Sequence, residues 1–375
     1  MKKYSIESTE NNKNISLNSS SGGGRNSNLE LLRILAMLVI VAHHYVVNSG
    51  LLEIVNESSR LTGNDMFLLL FGWGGKTGIN CFVLITGYFM CKSQMKWKKF
   101  WNLFAEFLFY KTVIYVLFVF AGYQSLSMGS VLRTVFPFFQ VATNFTGCFL
   151  LFYLFLPFLN KWIQSMEKSE HEKLMALLLF IYTVLPSFFK AEVSFNYITW
   201  FIVLYILAAY IRMYPRPCFS SVKLWGILSI VMLALSWASV LGLAFLERKT
   251  AHSGIAYFFV ADSNKVLALT TAVCIFLFFK NITIRQSRII NTISASTFGV
   301  LLIHANSDAM RKWLWQDTLH NTQMYGSSWL PVHAVLSVLA VFFICTMIDH
   351  IRIRSLSFIK HCGSLGVFSK NIKSI

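Results

Sequence analysis

The sequence is poor in charge: only 13% of its 375 residues are Asp, Glu, Lys or Arg, about half the roughly 25% usual in soluble domains. With 55% hydrophobic residues and a mean hydropathy of +0.58, it lacks the polar surface that would cover a water-soluble core of this size. That excludes the two or three soluble domains that its length alone would suggest. It also lacks paired cysteines. Its seven Cys are scattered through apolar runs without a CxxC pair, so neither a zinc site nor a disulfide framework is expected, and the thiols read as small buried hydrophobes. No set of ligands with metal spacing shares a helix face, so no metal is expected either. No short apolar leader ends in an Ala-x-Ala-like site, so the first hydrophobic segment is expected to stay in the protein. No internal repeat and no domain boundary interrupts the chain.

Acidic residues are the scarcer sign, 16 against 33 Lys and Arg, for a net charge of +17. In a membrane protein such an excess reads as positive-inside bias rather than as a nucleic-acid footprint, so no nucleic-acid partner is expected. Residues 1–27 form a polar Asn- and Ser-rich stretch ending in Gly22-Gly23-Gly24, too poor in apolar residues to pack, and are expected to be a disordered cytoplasmic tail. Residues 28–350 form one transmembrane domain, and 351–375 a basic cytoplasmic tail.

What the chain has in abundance is apolar runs long enough to cross ~30 Å of hydrocarbon. Ten segments follow one another, at 29–48, 66–91, 101–121, 147–163, 174–189, 197–213, 223–245, 264–280, 291–310 and 330–349. The second is interrupted by Gly72-Trp73-Gly74-Gly75-Lys76-Thr77-Gly78. With the amino terminus in the cytoplasm, 22 Lys and Arg fall in the inner connections and eight in the outer ones. This alternation supports an all-α integral membrane bundle of about ten transmembrane helices with both termini cytoplasmic.

Ionisable groups inside a span are costly and usually face a protein interior or a wet cavity. The first segment carries two, Arg33 and His44. Eleven residues separate them, which returns the helix to within about 20° of the same face after a rise of about 16 Å. Two readings stand on physics alone. Arg33 snorkels to the headgroups and His44 bonds a neighbouring helix, or both line a functional pore. Glu30, three residues before Arg33, is placed to pair with it. His43 projects about 100° from His44 and reads as structural. The Gly-rich interruption exposes backbone groups, which suits a lined cavity or close small-residue packing. His304, near the outer end of the ninth segment, stands four residues before Asp308, within hydrogen-bonding reach on a continuous helix, and reads as structural or substrate-positioning.

The stretch Leu29 to His44, with its Arg-x10-His spacing, resembles the first helix of the membrane acyltransferase-3 family, with Glu30 where many members have Asp. Gly78-Ile79-Asn80-Cys81-Phe82-Val83-Leu84-Ile85-Thr86-Gly87-Tyr88-Phe89 is similar to that family's Phe-x-x-Ser-Gly-Phe segment, with Thr86 replacing Ser. Ser296 to His304 is similar to its Tyr-Leu-x-His stretch. The Arg-x-x-Arg pair of many members is replaced here by Lys96-Trp97-Lys98-Lys99, which keeps the charge without the guanidinium fork. The positive-inside rule alone would also place lysines there.

The resemblance implies a multi-pass O-acyltransferase that moves an acetyl or other short acyl group from acyl-CoA to a hydroxyl of a cell-surface glycan or its lipid-linked precursor. Acetyl-CoA would be a donor substrate and not a permanently bound cofactor. Its phosphates would meet Lys96, Lys99 and Arg33, and a neutral His44 would act as general base, supported by Glu30, His43, Thr86 and His304. The expected setting is a bacterial cytoplasmic membrane, in the company of polysaccharide-assembly proteins. The rival is a carrier or flippase for lipid-linked sugars, against which stands the absence of an inverted repeat.

Overall fold

The computed structural model describes residues 26–136, 145–189, 191, 193, 196–250 and 254–372, with side chains as far as residue 357. The expected tail thus lies, up to residue 25, outside the described residues. Among the described residues all regular structure is helical. The first helix, α1 (Ser27–Val47), begins where the Asn26 side chain accepts the Asn28 N–H at 3.1 Å, and ends with the Asn48 N–H on the His44 carbonyl. It is followed by α2 (Leu51–Glu57), α3 (Gly63–Gly72), α4 (Gly75–Met90), α5 (Trp97–Phe120) and the short α6 (Met128–Val135). Next come α7 (Phe145–Ser165), α8 (Lys168–Leu179), joined through a π-helical turn to α9 (Leu185–Phe188), and α10 (Tyr197–Met213). The last third holds α11 (Val222–Thr250), α12 (Val266–Asn281), α13 (Arg288–Ala295), α14 (Thr297–His304), α15 (Asp308–Lys312) and α16 (Leu330–Ile372).

Seven of these runs are long and apolar enough to cross a membrane: 27–47, 63–90, 97–120, 145–165, 168–188, 222–250 and 330–357. An eighth is added if the pair Arg288–His304 and Asp308–Met324, bent by 96°, counts as one span. The sixth and eighth apolar segments of the sequence form the shorter helices α10 and α12, so the described helices give seven or eight full spans where ten were expected. Both short helices are largely enclosed by others, with Trp200, Phe201, Leu204 and Tyr205 of α10 and Ala268, Ala272 and Phe276 of α12 out of contact with any solvent. The apolar sequence of such a segment reflects burial in protein as much as contact with lipid. The boundary expected at 351 falls inside α16, so Arg352, assigned to the tail, is part of the packed bundle.

The centre of the bundle is α1, which packs against α3, α4, α12, α13, α14 and α16. Lipid tails are as apolar as the helices, so close packing and internal polar contacts must hold them together. Small residues provide the approach. A Cβ at Gly78 would sit 2.8 Å from the Ala36 carbonyl oxygen on α1, and one at Gly87 3.0 Å from Ala208 Cβ on α10. Buried polar contacts tie the rest: Trp200 Nε1 donates to Asn80 at 2.9 Å, and Asn80 Nδ2 to the Ser263 carbonyl at 2.7 Å. The faces of α5 and α11 turned outward carry large apolar side chains such as Phe120, Leu117, Ile230 and Ile227, as lipid contact requires.

Candidate active site

A cavity of about 670 Å³ opens between α1, α4, α5, α7 and the α14–α15 bend. From α1 it receives His43 and His44, from the end of that helix Asn48, and from α4 Gly75 and Lys76. Lys111 enters from α5, and Asn306, Asp308 and Arg311 from the bend. Phe82, Phe145, Phe149, Tyr197 and Phe298 form an aromatic wall, in which Phe149 lies 6.0 Å from both Phe145 and Phe298.

The imidazoles are held in definite orientations. His304 Nδ1 faces the Val300 carbonyl at 2.6 Å. A carbonyl only accepts, so that nitrogen carries the proton. With one proton per ring, His304 Nε2 is then an acceptor, and His44 Nδ1, 2.9 Å away, must donate to it. The proton on His44 is thereby fixed at Nδ1, leaving Nε2 with a free lone pair on a ring that lines the cavity. His304 is thus to His44 what an orienting group is to a general base. His304 comes from a position 260 residues along the chain. The hydrogen bond between His304 and Asp308, expected on a continuous helix, is not made. The helix ends at His304, Ser307 caps α15, and Asp308 turns outward to pair with Arg311 at 2.9 Å.

His43 does line the cavity, but its Nδ1 donates to the Gly72 carbonyl at 2.6 Å. That oxygen lies at the break between α3 and α4, where the helical ladder is interrupted at Trp73-Gly74. Both readings of the Gly-rich stretch therefore apply: it borders a cavity, and it packs closely on α1. A Cβ at Gly75 would lie 2.4 Å from His43 Cγ. Gly75→Ala is expected to push the imidazole off the Gly72 carbonyl and to destabilise the protein by about 1–3 kcal/mol, the usual range for overpacking. A thermal melt of the purified protein in one detergent checks this, and an unchanged melting temperature would overturn it.

The other candidate residues lie elsewhere. Arg33 pairs with Glu30 at 3.6 Å, and Glu30, which is buried, accepts a hydrogen bond from Ser294 on α13. Neither lines the cavity, which lies toward the other end of α1. Lys96 and Lys99 are exposed at the start of α5, about 18–22 Å along that helix from Lys111. Thr86 bonds back to the Phe82 carbonyl at 2.9 Å within its own helix. The structure thus brings together His44, His43 and His304, and leaves Arg33, Glu30, Thr86, Lys96 and Lys99 apart from them.

Sequence reasoning missed Lys76, Lys111, Tyr197 and Asn48. Lys76 donates to the Tyr197 hydroxyl at 3.0 Å and has Asp262 at 3.8 Å, and Lys111 donates to the Asn306 carbonyl. Asn48 lines the cavity one turn beyond His44, and its side-chain amide nitrogen has no hydrogen-bond partner among the described residues. A signal existed for Lys111, since it stands inside an apolar run, where a charge marks a functional position.

A family model described as an acyltransferase domain, that of the acyltransferase-3 family, matches residues 26–350. No curated protein and no solved structure matches the chain.

Proposed function

The chain belongs to the acyltransferase-3 family, and from that premise we propose that it transfers an acetyl or other short acyl group from acyl-CoA to a hydroxyl of a cell-surface glycan or its lipid-linked precursor. The observation that carries this reading is the His44–His304 contact, which leaves His44 Nε2 bare at the edge of a cavity roomy enough for a sugar. The aromatic wall opposite suits the C–H face of a pyranose ring, whose positive edges meet the negative faces of the rings.

In the reaction His44 Nε2 takes the proton of the acceptor hydroxyl as its oxygen attacks the thioester carbonyl. The C–O bond forms, the C–S bond breaks, and the imidazolium returns its proton to the CoA thiolate. The oxyanion that forms on the way needs a donor or a cation beside it, a role that the Asn48 side-chain amide or the Lys76 ammonium, both lining the cavity, would fill. In the proposed topology the bent pair and the shorter α10 and α12 also cross, so that the chain passes a bacterial cytoplasmic membrane about ten times, with both termini cytoplasmic. Lys96, Lys99 and Arg33 then lie at the inner face, where acyl-CoA is supplied, and the cavity lies toward the outer face. The phosphates rest on the inner cations, and the extended pantetheine arm carries the acyl group across the intervening distance to His44.

Proton NMR of the surface glycan from strains carrying and lacking the protein tests the reading. O-acyl signals are expected to disappear with the protein, at unchanged glycan yield. Unchanged acyl signals on a reduced amount of surface glycan would overturn it in favour of transport.

A further inference from the structure

Among its described lining residues the cavity carries more positive than negative charge. Four cationic side chains line it, Lys76, Lys111, Arg133 and Arg311. Among its described lining residues the carboxylate is Asp308, which is 97% exposed and engages Arg311. Lys76 is served by Tyr197 and Asp262. Lys111 lies within the span 97–120, where a cation is expensive, and its hydrogen-bond partner is a neutral carbonyl, that of Asn306. Among the described residues, neither Lys111 nor Arg133 has a carboxylate within ion-pair distance. Lys111, Arg133 and Arg311 line the same cavity. Arg311 follows Asn306, whose carbonyl Lys111 engages, by five residues, and α6, which carries Arg133, packs on α5, which carries Lys111. One exposed carboxylate among these cations leaves the described lining net positive, and a low-dielectric cleft of one sign concentrates ligands of the other.

We infer that the acceptor is an anion: the sugar that offers its hydroxyl to His44 carries a carboxylate or a phosphate, which Lys111 receives together with Arg133 and Arg311. The inference rests on the acyl-transfer reading and narrows it from glycans in general to acidic ones. A uronic acid within the glycan, or the pyrophosphate of a lipid-linked precursor, supplies the same chemistry. So would the phosphates of CoA, and the test separates the three.

The full chain in lipid nanodiscs is titrated calorimetrically with an oligosaccharide containing a uronic acid and with its carboxyl-reduced counterpart. The same neutral sugar on a polyprenyl pyrophosphate, and coenzyme A, complete the set. The acid or the pyrophosphate form is expected to bind at least about tenfold more tightly than the neutral sugar, the scale of one charge-assisted hydrogen bond. Lys111→Gln is expected to abolish that preference and Lys111→Arg to keep it, with the affinity for coenzyme A unchanged in both. Arg133 is exposed on α6, so Arg133→Gln weakens the preference without a folding defect. Equal affinity for the acidic, pyrophosphate-linked and neutral ligands would overturn the inference. So would a loss of coenzyme A affinity in Lys111→Gln as large as the loss for the acid, since the anion would then be the donor's. Transfer from acetyl-CoA is scored separately. Tight anion binding without transfer overturns the acyl-transfer reading and leaves the anion site standing, whereas transfer with indifferent binding does the reverse.

Discussion

His44→Ala is expected to lower acyl transfer by about 10²–10⁴-fold, the usual worth of a positioned general base, while the protein reaches the membrane in normal amount. His44 is half-buried at the cavity edge and its main polar contact is with His304, so truncation costs packing on one side and no buried charge. His304→Ala should act through His44. Without the acceptor at Nε2, the His44 ring is free to change tautomer and to rotate, which lowers kcat and leaves the KM for acyl-CoA unchanged. Because the two imidazoles act as a unit, the double variant should lose no more than His44→Ala alone. Rates of transfer from labelled acetyl-CoA by the four proteins at equal concentration decide the matter. Multiplicative losses would mean that His304 acts on something other than His44, and full activity in His44→Ala would remove it from the reaction.

How much of this arrangement is written locally in the chain can be judged from the same residues. The spacing of Arg33 and His44 on one helix is a matter of 100° steps, and α1 is unbroken across it, so the stripe was legible. Each of the ten apolar segments falls on helical structure, three of them (66–91, 174–189 and 291–310) on more than one helix, because a chain of such composition has no other way to satisfy its backbone in lipid. The number of full spans was not legible in the same way. Hydropathy reports the absence of water, and α10, enclosed by protein, is as apolar as α11, which faces outward. The partner of His44 was out of reach, since nothing near residue 44 encodes a contact with residue 304. The lysines of the cavity were hard to read for a different reason. Positive charge follows membrane topology as well as chemistry, so Lys96 and Lys99 stand out as a cluster, whereas Lys76 and Lys111 stand alone. Asp308 shows the reverse error, a pairing inferred from helical spacing that the 96° bend removes.

The largest expected loss of stability lies away from the cavity, at Arg352. Its guanidinium meets Asp349 at 2.8 Å and Glu106 of α5 at 2.9 Å, and Tyr110 donates to Asp349 at 2.7 Å. Asp349 is completely buried, and Arg352 and Glu106 are largely enclosed, 11% and 15% exposed. Removing one partner of a buried ion pair costs about 3–5 kcal/mol, because the remaining charge keeps its desolvation cost without its counter-ion. Arg352→Met strands two carboxylates at once and should fall at the upper end of that range. Glu106→Gln leaves the Asp349–Arg352 contact whole and should cost much less. Glu106→Gln, Asp349→Asn and Arg352→Met together should recover most of the loss, since uncharged groups of similar volume are tolerated where a half-pair is not. Thermal melts of the variants in one detergent give the order directly, and a Glu106→Gln protein as unstable as Arg352→Met would refute it. The effect is also expected to reach the site. Asp349 packs on Gly299, where a Cβ would lie 2.4 Å from its carboxyl carbon, and Gly299 belongs to the eight-residue helix that ends in His304. Two unneutralised carboxylates against that helix loosen the element that holds His304 to His44. Arg352→Met should therefore lower kcat at temperatures where the protein is still folded, whereas a purely structural role for Arg352 would leave kcat unchanged below the melt.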